Sequence, residues 1–178
     1  MKKILTGGLV LLALTATSLF PLSSVYAQTV ASESARCKIA TSRLDLRITN
    51  VEKVKTTQSA LYNETKSKVD TFVTSATDAG YDVAKLTTAR DSVKTKIDTY
   101  IEKATAYSAA LTTAKSLTCG ESDGAFTTAV ASARTALVAT RTAAIDVRTT
   151  FKQQVVPALN DYAAWLKLQK ANTTEGTN

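Results

Sequence analysis

An all-α fold, built as an elongated, antiparallel up-down-up three-helix bundle of coiled-coil character with one disulfide, is what this sequence predicts. Three observations predict it. Apolar residues recur at heptad spacing over three long segments, about 37–79, 83–118 and 123–168. Two short runs of turn-forming residues, Asp78-Ala79-Gly80-Tyr81-Asp82 and Cys119-Gly120-Glu121-Ser122, separate those segments. The two cysteines, Cys37 and Cys119, stand at the first end of the first segment and the last end of the second, which lie side by side if the two helices are antiparallel.

The first element expected is not part of the fold. Residues 1–27 open with Lys2 and Lys3, continue through an apolar stretch from Ile4 to Phe20 and finish in Val25-Tyr26-Ala27, the pattern of a secretory signal peptide cleaved after Ala27. Gly7, Gly8, Thr15, Thr17 and Ser18 interrupt the stretch and Pro21 ends it, so it is short and impure for a stable membrane span; the competing reading is a retained anchor. Residues 28–36 form a lead-in. The mature chain of 178 − 27 = 151 residues is the size of one domain and long enough to bury a core without a metal.

Helix one is expected over 37–79, with Leu44, Ile48, Val51, Tyr62, Val69, Phe72 and Ala76 on its seam. Gly80 suits the left-handed position that follows a helix, and Asp82 suits the cap of the next. Helix two, 83–118, places Val83, Leu86, Val93, Ile97, Tyr100, Ala104, Tyr107, Leu111 and Ala114 on a seam of the same period. Ser122 or Asp123 caps helix three, whose seam runs through Phe126, Val130, Ala133, Leu137, Thr140, Ala144, Val147, Phe151, Ala158 and Trp165. Short loops make successive helices antiparallel neighbours. Pro157 is expected to kink helix three, because it supplies no N–H for the Gln153 carbonyl. The polar residues 169–178 read as a disordered tail. At 1.5 Å per residue such helices are about 55–65 Å long, a rod with little room for pockets.

If the pair topology holds, Cys37 and Cys119 form a disulfide that suits an oxidising, extracytoplasmic compartment. A redox-active dithiol would want a CxxC or another activating setting, which neither cysteine has. The composition narrows the chemistry further. The chain has no histidine, so the usual general base and the commonest transition-metal ligand are missing, and haem attachment through CxxCH is excluded. Asp91, Asp98 and Glu102 have helical spacing but no evident catalytic partner. No catalytic residue, cofactor site or metal site is expected. Loss of Lys2 and Lys3 takes the formal charge from +7 to +5, a mild excess spread among interspersed acids, with no sign of specific nucleic-acid binding.

Two surfaces are candidates for interaction. Arg134, Arg141 and Arg148 repeat every seven residues, a ladder that either grips a linear polyanion or covers the seam and pairs with acids such as Asp91 and Asp98 on helix two. Tyr162, Trp165, Leu166 and Leu168 fall at or beyond the Gly80 end of the bundle. There Trp165 either caps the core over Tyr81 or helps form an exposed patch for partner docking or self-association.

Arg43-Leu44 after Cys37, Gly80-Tyr81-Asp82-Val83, and Cys119-Gly120-Glu121-Ser122 with Phe126 together resemble a family of secreted helical-bundle proteins frequent in reduced-genome candidate-phyla bacteria. The resemblance spans most of the mature domain and implies a disulfide-pinned bundle on or outside the cell. Its motifs are turns and cysteines, and it implies no particular activity. The function expected is therefore that of a non-enzymatic secreted or cell-surface structural and interaction protein, with a protein or cell-envelope component as partner and no stable membrane span after signal cleavage. The competing expectation is an extracytoplasmic carrier or chaperone-like protein that holds apolar clients between its helices.

Overall fold

The computed structural model describes residues 33–119, 122 and 124–175. The expected signal peptide and most of the lead-in lie outside the described residues, as do Gly120, Glu121, Asp123 and the last three positions. Among the described residues the chain is all-helical, with no strand. Helix α1 runs Glu33–Asp78, α2 Ala84–Ser116 and α3 Ala125–Thr150. A single wide π-helical turn, Phe151–Val155, joins α3 without a break to α4, Val156–Glu175.

Turn chemistry sets the first boundary. Gly80 sits at φ +80°, a conformation that glycine adopts without a Cβ penalty. Around it Tyr81 N–H donates to the Ala76 carbonyl (3.0 Å) and Gly80 N–H to that of Thr77 (2.9 Å), the paired bonds of a Schellman motif. Asp82 Oδ1 then accepts from Ala84 N–H at 3.0 Å, covering one of the free donors at the start of α2. At the second boundary Ser122 Oγ accepts from Phe126 N–H at 3.1 Å. Gly124, at φ +81°, supplies a second left-handed residue that the sequence reading did not single out.

From one end to the other, contacts between α1 and the stretch of α2 and its C-terminal turn run in broadly opposite numerical order. Cys37 is bonded to Cys119, with Cα atoms 5.3 Å apart. Further along, Asp45 meets Lys115, Arg47 meets Tyr107, Glu52 meets Ser108, Lys66 meets Asp98 and Asp70 meets Lys94. The backbone of α2 comes close to α1, to α3 and to the wide turn, which makes α2 the central element. Thr140 shows how tightly α2 and α3 pack. Its hydroxyl lies 3.0 Å from the Lys103 carbonyl of α2 and 2.9 Å from the Ala136 carbonyl of its own helix, an approach that the small residues around it permit.

The core has two parts. The larger joins Tyr62, Val69, Val73 and Ala76 of α1 to Leu86, Val93, Ile97 and Tyr100 of α2 and to Ala143, Val147, Val155 and Ala158 beyond them. Within it the Tyr62 and Tyr100 rings meet edge to face at 4.9 Å. The smaller gathers Tyr107, Leu111, Ala133 and Leu137, with Leu44, Ile48 and Val51 only partly buried against them. The disulfide therefore lies at the end where packing is thinner.

Two seam assignments are corrected. Phe72 is 43% exposed, and its neighbour Val73 takes the core position, because the buried face of α1 passes from Val69 to Val73 and Ala76 by steps of four and three. Phe151 is likewise only partly buried. The wide turn adds one residue to its turn and advances the phase of everything after it, so the buried series steps from Thr150 by five to Val155, which is 1% exposed. Pro157 accounts for that turn. Val156 N–H bonds to the Phe151 carbonyl, five residues back, which makes room for a ring that would collide with a carbonyl four residues back and lets the helix continue. The last helix also extends through Gln169–Glu175, where a polar tail was expected; Gln169, Lys170 and Ala171 are good helix formers.

Candidate functional site

Each long helix uses its inward face for the core, so chemistry must come from the flanks. The flanks of α2 are spent on ion pairs. Lys94 bonds Asp70 at 3.0 Å and Arg90 bonds Asp91 at 2.8 Å while lying 3.8 Å from Asp70. Lys96 meets Asp146 (3.5 Å), Lys103 meets Glu102 (2.8 Å), Lys115 meets Asp45 (2.7 Å) and Lys85 meets Asp161 (3.2 Å). Every cation of α2 is thereby paired. Such exposed pairs contribute only about 0–1 kcal/mol each to stability, but they neutralise the surface on which they lie.

The acids proposed as partners of the arginine ladder are thus engaged elsewhere, Asp98 by Lys66 at 2.6 Å and Asp91 by Arg90. Arg134, Arg141 and Arg148 are exposed on α3 and make no ion pair among the described residues. Asp146, the acid of α3, faces Lys96 of α2 instead. Between the arginines stand Val138, 60% exposed, and Ile145, 63% exposed, and Lys152 follows Arg148 by one helical step of four. The ladder shows in the sequence as a heptad repeat, whereas the exposure of the apolar residues that alternate with it does not.

At the other candidate surface the aromatic rings turn on one another. Trp165 lies 5.4 Å from Tyr81 and 6.1 Å from Tyr162 between ring centroids, and Tyr81 lies 5.2 Å from Tyr162. Tyr162 also donates to the Ser75 carbonyl of α1 at 3.4 Å. Tyr162, Trp165 and Leu166 are all partly buried, while Leu168 is exposed. The geometry matches a cap of Tyr162 and Trp165 over the Gly80 turn, with Leu168 the large apolar side chain left outward.

The titratable groups with shifted behaviour are structural in character. The Lys55 ammonium, then the Ser108 hydroxyl, hold the Glu52 carboxyl below the usual carboxylate range, and Arg90 does the same for Asp91. Both acids are therefore fully ionised near neutrality rather than poised to exchange protons. Burial pushes the Tyr62 phenol up to about 12 and raises that of Tyr100. Arg47 donates from Nε to the Tyr107 hydroxyl at 3.0 Å, and its Nη2 is buried without a bonding partner.

A surface depression between α1 and α2 is lined by Asn63, Lys66, Ser67, Asp70, Thr71 and Lys94, and its charges already pair with one another or with Asp98. Among the described residues no group of three or more His, Cys, Asp or Glu side chains could hold a metal ion, and no helix is long and apolar enough to cross a membrane. No protein-family model matches the chain, and neither a curated protein nor a solved structure matches it.

Proposed function

We propose that the chain is a non-enzymatic, secreted or cell-surface structural and interaction protein, a disulfide-pinned helical rod that offers its outer faces to a protein or cell-envelope partner. On this reading the helices form an antiparallel up-down-up bundle, residues 1–27 direct export, and the Cys37–Cys119 bond matures in an oxidising compartment outside the cytoplasm. The opposed order of the α1–α2 contacts supports the topology.

The observation that carries the functional reading is the asymmetry of the surface. α2 keeps its cations paired and exposes no large apolar side chain, whereas α1 exposes Ile39, Leu46, Val54 and Phe72 and α3 exposes Val138 and Ile145. Large apolar side chains left outward beside unneutralised charge suit contact with another surface. A carrier would instead open its core to clients. An anilinonaphthalene dye distinguishes the two: the rod binds little dye in its native state, and tight native binding, displaced by apolar ligands, would replace the rod reading with the carrier. Crosslinking on intact cells, with wild type beside Trp165→Ala, tests the aromatic end. Loss of a crosslinked species in the variant assigns docking to that end, and an unchanged pattern assigns the rings to capping the bundle.

A further inference from the structure

We propose that the outer face of α3 is a docking surface for an anionic phospholipid membrane. Arg134, Val138, Arg141, Ile145, Arg148 and Lys152 follow one another at steps of four, three, four, three and four, so they form one continuous stripe, alternately cationic and apolar until its last step. All six are exposed. No acid interrupts the stripe, and none of its four cations has an ion-pair partner among the described residues. The stripe looks away from α2, because Thr140 and Asp146, which reach Lys103 and Lys96, lie roughly 80–160° round the helix from the three arginines at 100° per residue.

Charge complementarity names the sign of the partner, and the apolar steps name its kind. Guanidinium groups bond phosphate oxygens in a bidentate manner, and successive arginines stand about 10.5 Å apart along the axis. A linear polyanion would satisfy those charges but would set Val138 and Ile145 against its own charged chain. A lipid surface accepts both, with phosphates at the arginines and the upper acyl region beneath the two branched side chains. No aromatic ring lies on the stripe to stack a base, which removes the usual means of holding a single-stranded nucleic acid. The tight α2–α3 contact at Thr140 keeps α3 rigid, so the stripe meets a plane along about 27 Å from Arg134 to Lys152. The two branched residues are short, so the attachment is peripheral, reversible and sensitive to salt.

The proposal deepens the interaction-protein reading by naming its partner. The test is sedimentation of the full chain with vesicles of phosphatidylcholine mixed with phosphatidylglycerol, compared with phosphatidylcholine alone. Residues 1–32 are present in every variant, so differences between variants report on α3. Arg134→Gln/Arg141→Gln/Arg148→Gln is expected to lower partitioning onto the anionic vesicles about 100-fold, and replacement of the same three by Lys to keep most of it. Lys85→Gln/Lys96→Gln/Lys103→Gln, an equal change of net charge on paired residues, is expected to change it less than about threefold. Val138→Thr/Ile145→Thr is expected to weaken vesicle binding severalfold while leaving binding of inorganic polyphosphate unchanged. Equal losses for the two Gln triples, or none for the ladder triple, overturn the proposal, and so does tighter binding of polyphosphate than of vesicles, which would return the ladder to a soluble polyanion. Each of these outcomes leaves the rod reading standing; that reading falls to the dye experiment.

Discussion

Replacing Cys37 and Cys119 together by serine removes a crosslink that spans 82 residues of sequence. In the chain-entropy account the bond restricts the unfolded chain by roughly 2.1 + 3.0 ln 82, or about 15 cal/mol/K, equivalent to about 4.5 kcal/mol at room temperature. For a cooperative unit of ~140 residues the entropy of unfolding is about 0.3 kcal/mol/K near the midpoint, so the loss corresponds to about 15 °C in Tm. The structure adds where the loss falls. Around Leu44, Ile48 and Val51 the packing is only half-buried, whereas Tyr62, Val69, Val73 and Ala76 are buried in the larger core. Without the bond, residues 37–55 of α1 should exchange their amide hydrogens first and residues 62–76 should stay protected. Denaturant and thermal unfolding followed by circular dichroism measure the first effect, and hydrogen exchange with mass spectrometry locates the second. A Tm within about 3 °C of wild type, or uniform loss of protection along α1, would refute the claim that the crosslink holds the thinner end together.

Other expectations follow from single positions. Val155 is 1% exposed and Val156 is 39% exposed, so Val155→Ala should cost about 2 kcal/mol and Val156→Ala less than about 0.7; equal costs in chemical denaturation would remove the phase advance at the wide turn. Gly80→Ala forces a Cβ into φ +80° and should cost about 1 kcal/mol, although open space surrounds the position; an unchanged midpoint would show that the turn relaxes. The buried Tyr62 phenol, raised from 10.0 to about 12, binds its proton more tightly folded than unfolded. Its contribution is therefore complete below about pH 10 and declines as pH rises from about 10 to 12, with Tyr100 shifted in the same direction. Tyrosinate absorbance from Tyr62 and Tyr100 should then appear only with the loss of helix; its appearance with the helix intact would contradict their burial.

The α2 seam was legible because it is regular. Val93, Ile97, Tyr100, Ala104, Tyr107, Leu111 and Ala114 keep steps of four and three without interruption, Leu86 stands one heptad before Val93, and all are buried. The disulfide was legible for a related reason: Gly80 and Asp82 mark a reversal, and a reversal brings Cys37 to Cys119. The α3–α4 seam was not fully legible, because a heptad count from Val147 lands on Phe151 and then on Ala158 and passes over Val155. Pro157 signalled a disturbance, yet whether a proline breaks a helix or widens one turn depends on backbone accommodation that residue identities do not specify. Phe72 was misplaced because Val69–Phe72–Ala76 and Val69–Val73–Ala76 keep equally regular steps of three and four, and spacing alone does not tell which of the two is buried. The ladder was visible as a repeat, but its lack of partners became visible only when Asp91 and Asp98 were found bonded to Arg90 and Lys66.

Small-angle scattering of residues 33–178 in solution tests the rod most directly. α1 has 46 residues, which at about 1.5 Å each gives a helix of about 69 Å. If α2, α3 and α4 fold back along it as an antiparallel bundle, the maximum dimension should be about 70–75 Å and the radius of gyration about 20–22 Å, since a thin rod of that length has L/√12 of about 20 Å. A radius of gyration near 15 Å, the value for a compact domain of this size, would contradict the account.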